Sequence, residues 1–145
     1  MKSRAKTRRL LDRLVVAAKR TGADAARVGR QLPILHSCLP ENDEPVLLAR
    51  ASRPGDRASY LLLLTNQRLV VTRETRVLRR QHLHLNADPR HLMDVIWTPE
   101  PELGTILLSA TAIDGVREHF WIRTAAVEAS TAALHHVFGR EPVFV

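Results

Sequence analysis

Three histidines near the middle of the chain are the residues whose type and spacing could bind a metal ion. His82 and His84 are two residues apart, so in a strand they would lie on one face, and His91 is near enough to be a third ligand. A zinc site, however, needs three or four ligands in a fixed geometry. We therefore interpret the histidines as solvated residues on an outward face, opposite Leu83 and Leu85, and predict no metal and no cofactor.

Nucleophilic and acid–base chemistry have equally weak candidates. Cys38 and His36 are close in sequence, but no glycine-rich oxyanion element is near them, so we favour an inert thiol. Glu100 and Glu102 stand in a proline-containing turn, where carboxylates are solvated. None of the six glycines has the spacing of a dinucleotide-binding or phosphate-binding loop. The sequence thus predicts a protein that is not an enzyme and has no small-molecule substrate.

Positive charge is concentrated at the start of the chain. Of the 22 Lys and Arg side chains, ten lie in residues 1–30, where Asp12 and Asp24 are the only acids, and the remainder of the chain is close to neutral. A basic segment of this kind suits a negatively charged partner or surface. The candidate membrane-contacting or partner-contacting residues are Arg4, Lys6, Arg8, Arg9, Arg13, Lys19 and Arg20.

The same segment has the pattern of an amphipathic helix from Lys6 to Arg20. Its apolar residues recur at helical spacing, with basic residues in the intervals. They are Leu10, Leu11, Leu14, Val15 and Ala18. Thr21 and Gly22 predict the end of this helix, since glycine commonly follows the last helical turn.

A second, shorter helix follows the first. Asp24 is positioned to cap it, it extends to about Leu32, and Pro33 is predicted to stop it. The acidic residues 39–45, with two prolines, then predict a linker. These two helices resemble a helix-turn-helix motif only loosely, because Pro33 leaves little room for the third, supporting helix of that motif.

Three functions remain open for this basic arm. Its apolar face could pack on the rest of the protein or on a second copy, it could insert into an anionic membrane surface, or its arginines could bind nucleic acid. The apolar face has no large aromatic residue, which weakens the membrane interpretation. We favour packing or self-association, with membrane contact second and nucleic acid third.

After residue 45 the pattern changes to short apolar runs separated by turn residues, which is typical of an antiparallel sandwich or barrel. We divide the chain accordingly into a basic helical arm, residues 1–40, and a main domain, residues 41–145. Seven strands are predicted. They are Val46–Ser52, Ala58–Leu64, Arg68–Arg73, Val77–Leu85, Leu92–Thr98, Gly104–Ile113 and Val116–Arg123.

The last two strands and the end of the chain have the clearest local pattern. Asp114-Gly115 predicts a type I′ hairpin between strands six and seven. Alternation places one set of apolar residues on the core side of this hairpin. These residues are Ile106, Leu108, Ala110, Ala112, Phe120 and Ile122.

A final helix is predicted from Ala125 to Phe138. Thr124 is its candidate N-cap, and Gly139 is its candidate C-terminal stop. Val127, Leu134 and Phe138 form an apolar stripe on it, which we expect to dock against one end of the predicted barrel.

Seven antiparallel strands followed by one helix is the order of the pleckstrin-homology fold. The segment Leu63-Leu-Thr-Asn-Gln-Arg-Leu-Val-Val71 resembles the second hairpin of bacterial pleckstrin-homology-like domains, and the resemblance extends over residues 44–139. Leu92-Met-Asp-Val-Ile-Trp-Thr and Asp114-Gly-Val-Arg-Glu-His-Phe-Trp-Ile are similar to the family's later strands. The fold class implied is mostly β (α+β), a seven-stranded antiparallel barrel or sandwich closed by a C-terminal helix, with the amphipathic helical arm in front of it.

The resemblance implies a module that binds lipids, peptides or partner proteins. It does not imply phosphoinositide binding, because Arg50, Arg53 and Arg57 lack the lysine-arginine spacing of the lipid-binding members. We expect a non-catalytic binding or scaffolding module that acts through protein–protein interaction or self-association. The alternatives are peripheral attachment to anionic membranes and nucleic-acid binding, both through the arm.

Further features give weaker indications. Trp97 and Trp121 are expected to be core residues, although a half-exposed tryptophan can anchor a partner. A second basic cluster is interpreted as a solvated edge that discourages strand addition. It consists of Arg73, Arg76, Arg79 and Arg80. A single cysteine and the lack of a long apolar segment predict a cytoplasmic protein, with the periphery of the membrane as the alternative location.

Overall fold

The computed structural model describes residues 2–139. Met1 and residues 140–145, parts of the predicted arm and main domain, lie outside the described residues. The elements in chain order are α1 (Lys2–Thr21), α2 (Ala25–Cys38), β1 (Pro45–Ser52), β2 (Ser59–Thr65), β3 (Leu69–Glu74), β4 (Gln81–Ala87), a 3-10 turn (Pro89–His91), β5 (Met93–Glu100), β6 (Thr105–Thr111), β7 (Arg117–Arg123) and α3 (Val127–Phe138).

The seven strands form one antiparallel sheet in the order β4-β3-β2-β1-β7-β6-β5. β1 joins its two halves, since it pairs with β2 along one edge and with β7 along the other. β4 and β5 are the outer edges and do not pair with each other, so the sheet is not closed. The predicted pleckstrin-homology-like arrangement of strands and C-terminal helix is therefore confirmed, in an open form.

The inner side of the folded sheet holds one hydrophobic core with contributions from both halves. The inward residues predicted for β6 and β7 are all buried in it, as alternation requires. α3 packs against the same core through Leu134, which is fully buried, and through Val127 and Phe138. The apolar stripe predicted for this helix is confirmed.

A second hydrophobic cluster lies on the outer side of β1–β3, beneath α1 and α2. Leu14 and Ala18 of α1 are fully buried, together with outward-facing leucines of β1 and β2. Thr21 Oγ1, at the end of α1, donates a 2.6 Å hydrogen bond to the carbonyl oxygen of Leu48. Burying a leucine fully is worth about 1.5–3 kcal/mol, so the helices are integral to the folded structure.

α2 does not stop at Pro33, which corrects the sequence-based prediction. It runs from Ala25 to Cys38 with Pro33 inside it, after Asp24 caps its start by accepting a hydrogen bond from the Ala26 N–H. Leu35 and Cys38, beyond the proline, are both buried in the outer cluster. Burial of the last turn offsets the hydrogen bond that proline cannot donate, so the helix continues.

β4 begins later than predicted. Residues 75–80 form a turn closed by hydrogen bonds between Thr75 and Arg80, and Val77 and Leu78 are at its exposed tip instead of in a strand. The break after Glu74 has no proline or glycine to mark it, which is why the strand was predicted to start at Val77.

A register irregularity between β3 and β4 also changes the orientation of the histidines. His82 is exposed, but His84 points inward and contacts the rings of Tyr60 and Phe120 edge-on. Leu83 is exposed. The prediction that both histidines lie on an outward face is therefore wrong for His84, because a bulge breaks strict alternation.

Two local predictions near the C-terminus need correction. β6 and β7 pair as predicted, but only Gly115 has a positive φ, of 85°, and the Ala112 carbonyl accepts from the Gly115 N–H. This is a type I turn followed by a glycine bulge instead of a type I′ turn. Thr124 does not cap α3, whose N-cap is Ala126 without a side-chain hydrogen bond. Thr124 Oγ1 accepts from the Ala126 N–H and contacts Ser130 Oγ.

Candidate binding surface at the open end of the sheet

The seven basic residues singled out in the arm divide into paired and free side chains. Lys6 donates to Glu41, and Arg13 Nη1 lies 2.9 Å from Glu44 Oε1, so two of the seven bind the acidic connection between α2 and β1. The other five are exposed on the outer surface of α1. They are Arg4, Arg8, Arg9, Lys19 and Arg20.

The apolar side of the arm is occupied by the sheet. Leu10, Leu14 and Ala18 are buried in the outer cluster, so α1 presents mainly its charged side to solvent, together with Val16, which is 51% exposed. α2 offers no exposed arginine in the described chain, because Arg27 is buried beside Glu74 and Arg30 Nε hydrogen-bonds Glu74 at 3.0 Å. Burial lowers the pKa of Arg27, although Glu74 opposes this effect.

A cavity of about 360 Å³ lies where α1 meets the α2–β1 connection. Its basic lining residues include Lys6, Arg9 and Arg13, but Glu41 and Asp43 line it as well. Asp43 is buried and accepts a 2.6 Å hydrogen bond from Thr65 Oγ1. Its charges are therefore largely balanced from within, and the cavity is not a basic pocket.

The loops β1–β2, β3–β4 and β6–β7 lie at the same end of the sheet, which we call the open end. Antiparallel pairing directs the end of β1 toward the starts of β2 and β7, since Ala51 pairs with Tyr60 and Ser52 pairs with Trp121. Arg53 Nη2, in the β1–β2 loop, lies 3.4 Å from Glu118 Oε2, in β7. Glu118 Oε2 is in turn 3.1 Å from His84 Nε2, in β4. One carboxylate thus joins three of the converging segments.

A second polar contact stabilises the β1–β2 loop at this end. Asp56 accepts hydrogen bonds from Arg73 Nε, at 3.1 Å, and from the Tyr60 hydroxyl. Together with the Ala58 N–H, these donors hold the pKa of the Asp56 carboxyl well below its usual range. Arg53 and Arg73 are therefore committed to internal carboxylates and are not free to bind a multiply charged headgroup.

The tips of two loops at the open end carry exposed apolar side chains. Val77 is 91% exposed and Leu78 is 67% exposed, in the β3–β4 turn. Ile113, in the β6–β7 turn, is 83% exposed, and Val116 follows it. Exposed arginines lie in the same turn as Val77 and Leu78 and in the β1–β2 loop. They are Arg57, Arg76, Arg79 and Arg80.

Sequence reasoning missed these apolar tips. Val77 was assigned to a strand and Ile113 to the end of another, so neither was considered as a contact residue. The sequence holds one indication of them. Val77 and Leu78 are adjacent and stand between Arg76 and Arg79, so this segment lacks the alternation of apolar and polar residues that a strand would show. Its meaning depends on the hairpin register, which the structure supplies.

The other candidate residues remain apart. Within residues 2–139, no group of three or more His, Cys, Asp or Glu side chains is arranged to hold a metal ion. Cys38 is buried, and His36 is exposed at the cavity beside α1. Trp97 contacts Phe138 of α3, as a core residue should, whereas Trp121 is half-buried on the outer side of β7.

Comparisons with known proteins concern the fold. No family model and no curated protein matches the chain. A solved pleckstrin homology domain from Shewanella amazonensis is similar at 17% identity with a TM-score of 0.48, over 77% of this chain and 99% of that one. The C-terminal domain of a Leishmania infantum protein is similar at 10% identity with the same TM-score, over 81% and 100%. Likenesses at this level carry no functional argument, and the fold assignment stands on the strand order.

Among the described residues, none of the helices combines the length and the apolar character that crossing a membrane would require.

Proposed function

We propose that this chain is a non-catalytic binding module that attaches peripherally to anionic membrane surfaces through the open end of its sheet. The observation that carries the proposal is the combination of protruding apolar tips, Val77, Leu78 and Ile113, with unpaired arginines in the β3–β4 turn and the β1–β2 loop. Apolar side chains this exposed favour a partner that removes them from water.

The shape of these tips favours a lipid surface as that partner. They stand on the ends of turns, so they can enter the interfacial region of a bilayer without a matching pocket. Each fully buried Val or Leu side chain contributes about 1.5–3 kcal/mol. Each nearby arginine contributes about 1 kcal/mol at an anionic leaflet. Two apolar tips and several arginines together are enough for reversible attachment.

The chemistry at the open end also favours general anionic lipid over a specific headgroup. Arg53 and Arg73, which lie nearest the inside of the sheet, are neutralised by Glu118 and Asp56. The arginines left over are on the rim and are spread over two loops. Such a rim attracts negative charge without selecting one headgroup geometry.

Membrane contact through the arm, which the sequence favours less than packing or self-association, is an alternative. The apolar face of the arm is packed on the sheet, so in the folded state it contributes mainly Arg4, Arg8, Arg9, Lys19 and Arg20. These charges can add long-range attraction, but the one large apolar side chain exposed among the described residues of α1 is Val16, at 51%, against 91% for Val77. The tips therefore account better for attachment than the arm does.

Sedimentation with vesicles tests the proposal on the full chain. We expect binding to vesicles of phosphatidylcholine with phosphatidylserine and little binding to phosphatidylcholine alone. The double variant Val77→Ser/Leu78→Ser should weaken binding by about tenfold or more. Arg76→Glu/Arg80→Glu should weaken it about as much, and added salt should mimic that change.

Leu103→Ser is the matched control, because Leu103 is 70% exposed but lies in the β5–β6 turn, away from the open end. It should leave vesicle binding unchanged. Loss of binding in Arg8→Glu/Arg9→Glu, with full binding in the tip variants, would assign the membrane contact to the arm and overturn the proposal. Absence of binding to both kinds of vesicle would overturn it as well.

A further inference from the structure

The outer side of β5–β7 is the one broad sheet surface that the helices leave uncovered in residues 2–139. α1 and α2 pack over the outer side of β1–β3, and α3 packs on the inner core. Strand alternation defines the outward residues, which we call the outer face of β5–β7. Among them are Ile96, Thr98 and Glu100 of β5, Thr105, Leu107, Ser109 and Thr111 of β6, and Arg117, His119, Trp121 and Arg123 of β7.

An apolar patch lies at the centre of this face. Trp121 and Leu107 are cross-strand neighbours and are both half-buried, and Ile96, on the edge strand β5, is 57% exposed. A half-exposed tryptophan beside aliphatic side chains is typical of the anchor region of a protein interface.

Two arginines adjoin the patch and are direct cross-strand partners, and no described carboxylate is paired with either. Glu100, on the same face, is separated from Arg123 by Thr105 of β6. Arg50 of β1 is the cross-strand partner of Arg123 of β7, and Ser52 and Trp121 form the next outward pair along the same strands. Both arginines are exposed, and neither has an ion pair or a hydrogen bond with any described side chain. Like charges directly opposite one another destabilise a sheet. A carboxylate placed between them from outside would remove that repulsion.

We propose that the outer face of β5–β7 binds an acidic segment of a partner protein, with a carboxylate between Arg50 and Arg123 and an apolar side chain on Trp121 and Leu107. Guanidinium groups bind carboxylates in two-point geometry, which supplies orientation, and the apolar patch supplies burial. The proposed membrane contact at the open end does not use this face.

The charge of the face selects this occupant over two others. A second copy bound by the same face would bring its own Arg50 and Arg123 onto those of the first, which is repulsive. Single-stranded nucleic acid would use the arginines, but it prefers several stacked aromatic platforms. Here the cross-strand neighbours of Trp121 are Leu107 and Ser52, neither of which is aromatic.

A library of random peptides, selected on the full-length chain and counter-selected on Arg50→Glu/Arg123→Glu, tests the proposal. We expect enriched peptides in which Asp or Glu flanks a large apolar residue. A synthetic copy of an enriched peptide should lose about tenfold or more in affinity for Arg123→Glu and for Trp121→Thr. Arg57→Glu, an exposed arginine in the β1–β2 loop, is the matched control and should bind normally.

Arg123→Glu tests the face even where Trp121→Thr fails to fold, since Arg123 is exposed. Vesicle binding by Arg123→Glu should stay normal, which separates this proposal from the one for the open end. Enriched peptides without acidic residues, or unchanged binding to both variants, would overturn the proposal. Lack of any enrichment would overturn it as well. Tight binding of oligothymidylate that Arg123→Glu abolishes would assign the face to nucleic acid, and a dimer in sedimentation velocity that Trp121→Thr dissociates would assign it to a second copy.

Discussion

The two halves of the sheet differ in what covers their outer sides. β2 has Leu61, Leu62, Leu63 and Leu64 in succession, and all four are fully buried, because the core lies on one side and the helices lie on the other. β7 alternates strictly between buried and outward residues, since only its inner side is covered. A continuous apolar run is typical of a strand buried on both faces, and alternation is typical of one with a free face. The first half is therefore built for stability, and the second half keeps a surface available for contact.

Leucine-to-alanine variants in the two halves should show the largest difference. Leu63→Ala leaves a cavity under the helices and should lower the free energy of unfolding by about 2–5 kcal/mol. Leu107→Ala, on the half-buried outer face of β5–β7, should lower it by about 1 kcal/mol or less. Urea unfolding monitored by circular dichroism measures both. Similar losses in the two variants would show that the uncovered half is as tightly packed as the covered one.

Glu74→Gln should have the next largest effect, through the contact between α2 and β3. It leaves Arg27 buried without its counter-charge and should cost about 1–3 kcal/mol at neutral pH. Glu128→Gln, which changes an exposed carboxylate on α3, should have almost none. A small loss for Glu74→Gln would mean that the polar contact adds little to helix docking.

The pH dependence of stability should report the same contact. Burial raises the pKa of Glu74, but Arg30 and Arg27 outweigh it, so the net pKa is lowered. A carboxylate with a lowered pKa stabilises the fold above its unfolded pKa of about 4.3. That contribution to stability disappears as the pH falls through the pKa of Glu74 in the folded protein. The wild type should therefore lose stability more steeply than Glu74→Gln below about pH 4.

Pro33→Ala should have the smallest effect and the opposite sign. Pro33 is exposed within α2 and cannot donate a helical hydrogen bond, so alanine should raise the free energy of unfolding by about 1 kcal/mol. The loss of proline's restriction on the unfolded chain limits this gain. A melting temperature below that of the wild type would show that proline has a favourable role in the covered half.

Much of the fold could be predicted because its main indications are local. Turn residues separate most strands, and alternation correctly identified the core residues of β6 and β7. α2 was predicted too short because tertiary burial of Leu35 and Cys38 overrides the helix-breaking tendency of Pro33. The bulge at β4 was not predictable, since register irregularities depend on both strands of a pair.

The candidate site was less predictable for the same reason. The exposed basic residues of α1 follow from helical spacing, and five of the seven are indeed free. The exposure of Val77 and the pairing of Arg50 with Arg123 require knowledge of turns and of partners distant in sequence. The sequence alone therefore identified the exposed basic residues, but it did not identify the exposed apolar residues.

The position of β1 has a consequence for synthesis of the chain. Its β2 edge can pair as soon as residues 59–65 are available, and both helices precede it, so most of the covered half can assemble early. Its other edge waits for β7, about half the chain later, during which time a row of backbone donors and acceptors stays unpaired. Chains that terminate before residue 117 should therefore be prone to edge-to-edge aggregation, and completion of β7 is the step that ends this risk.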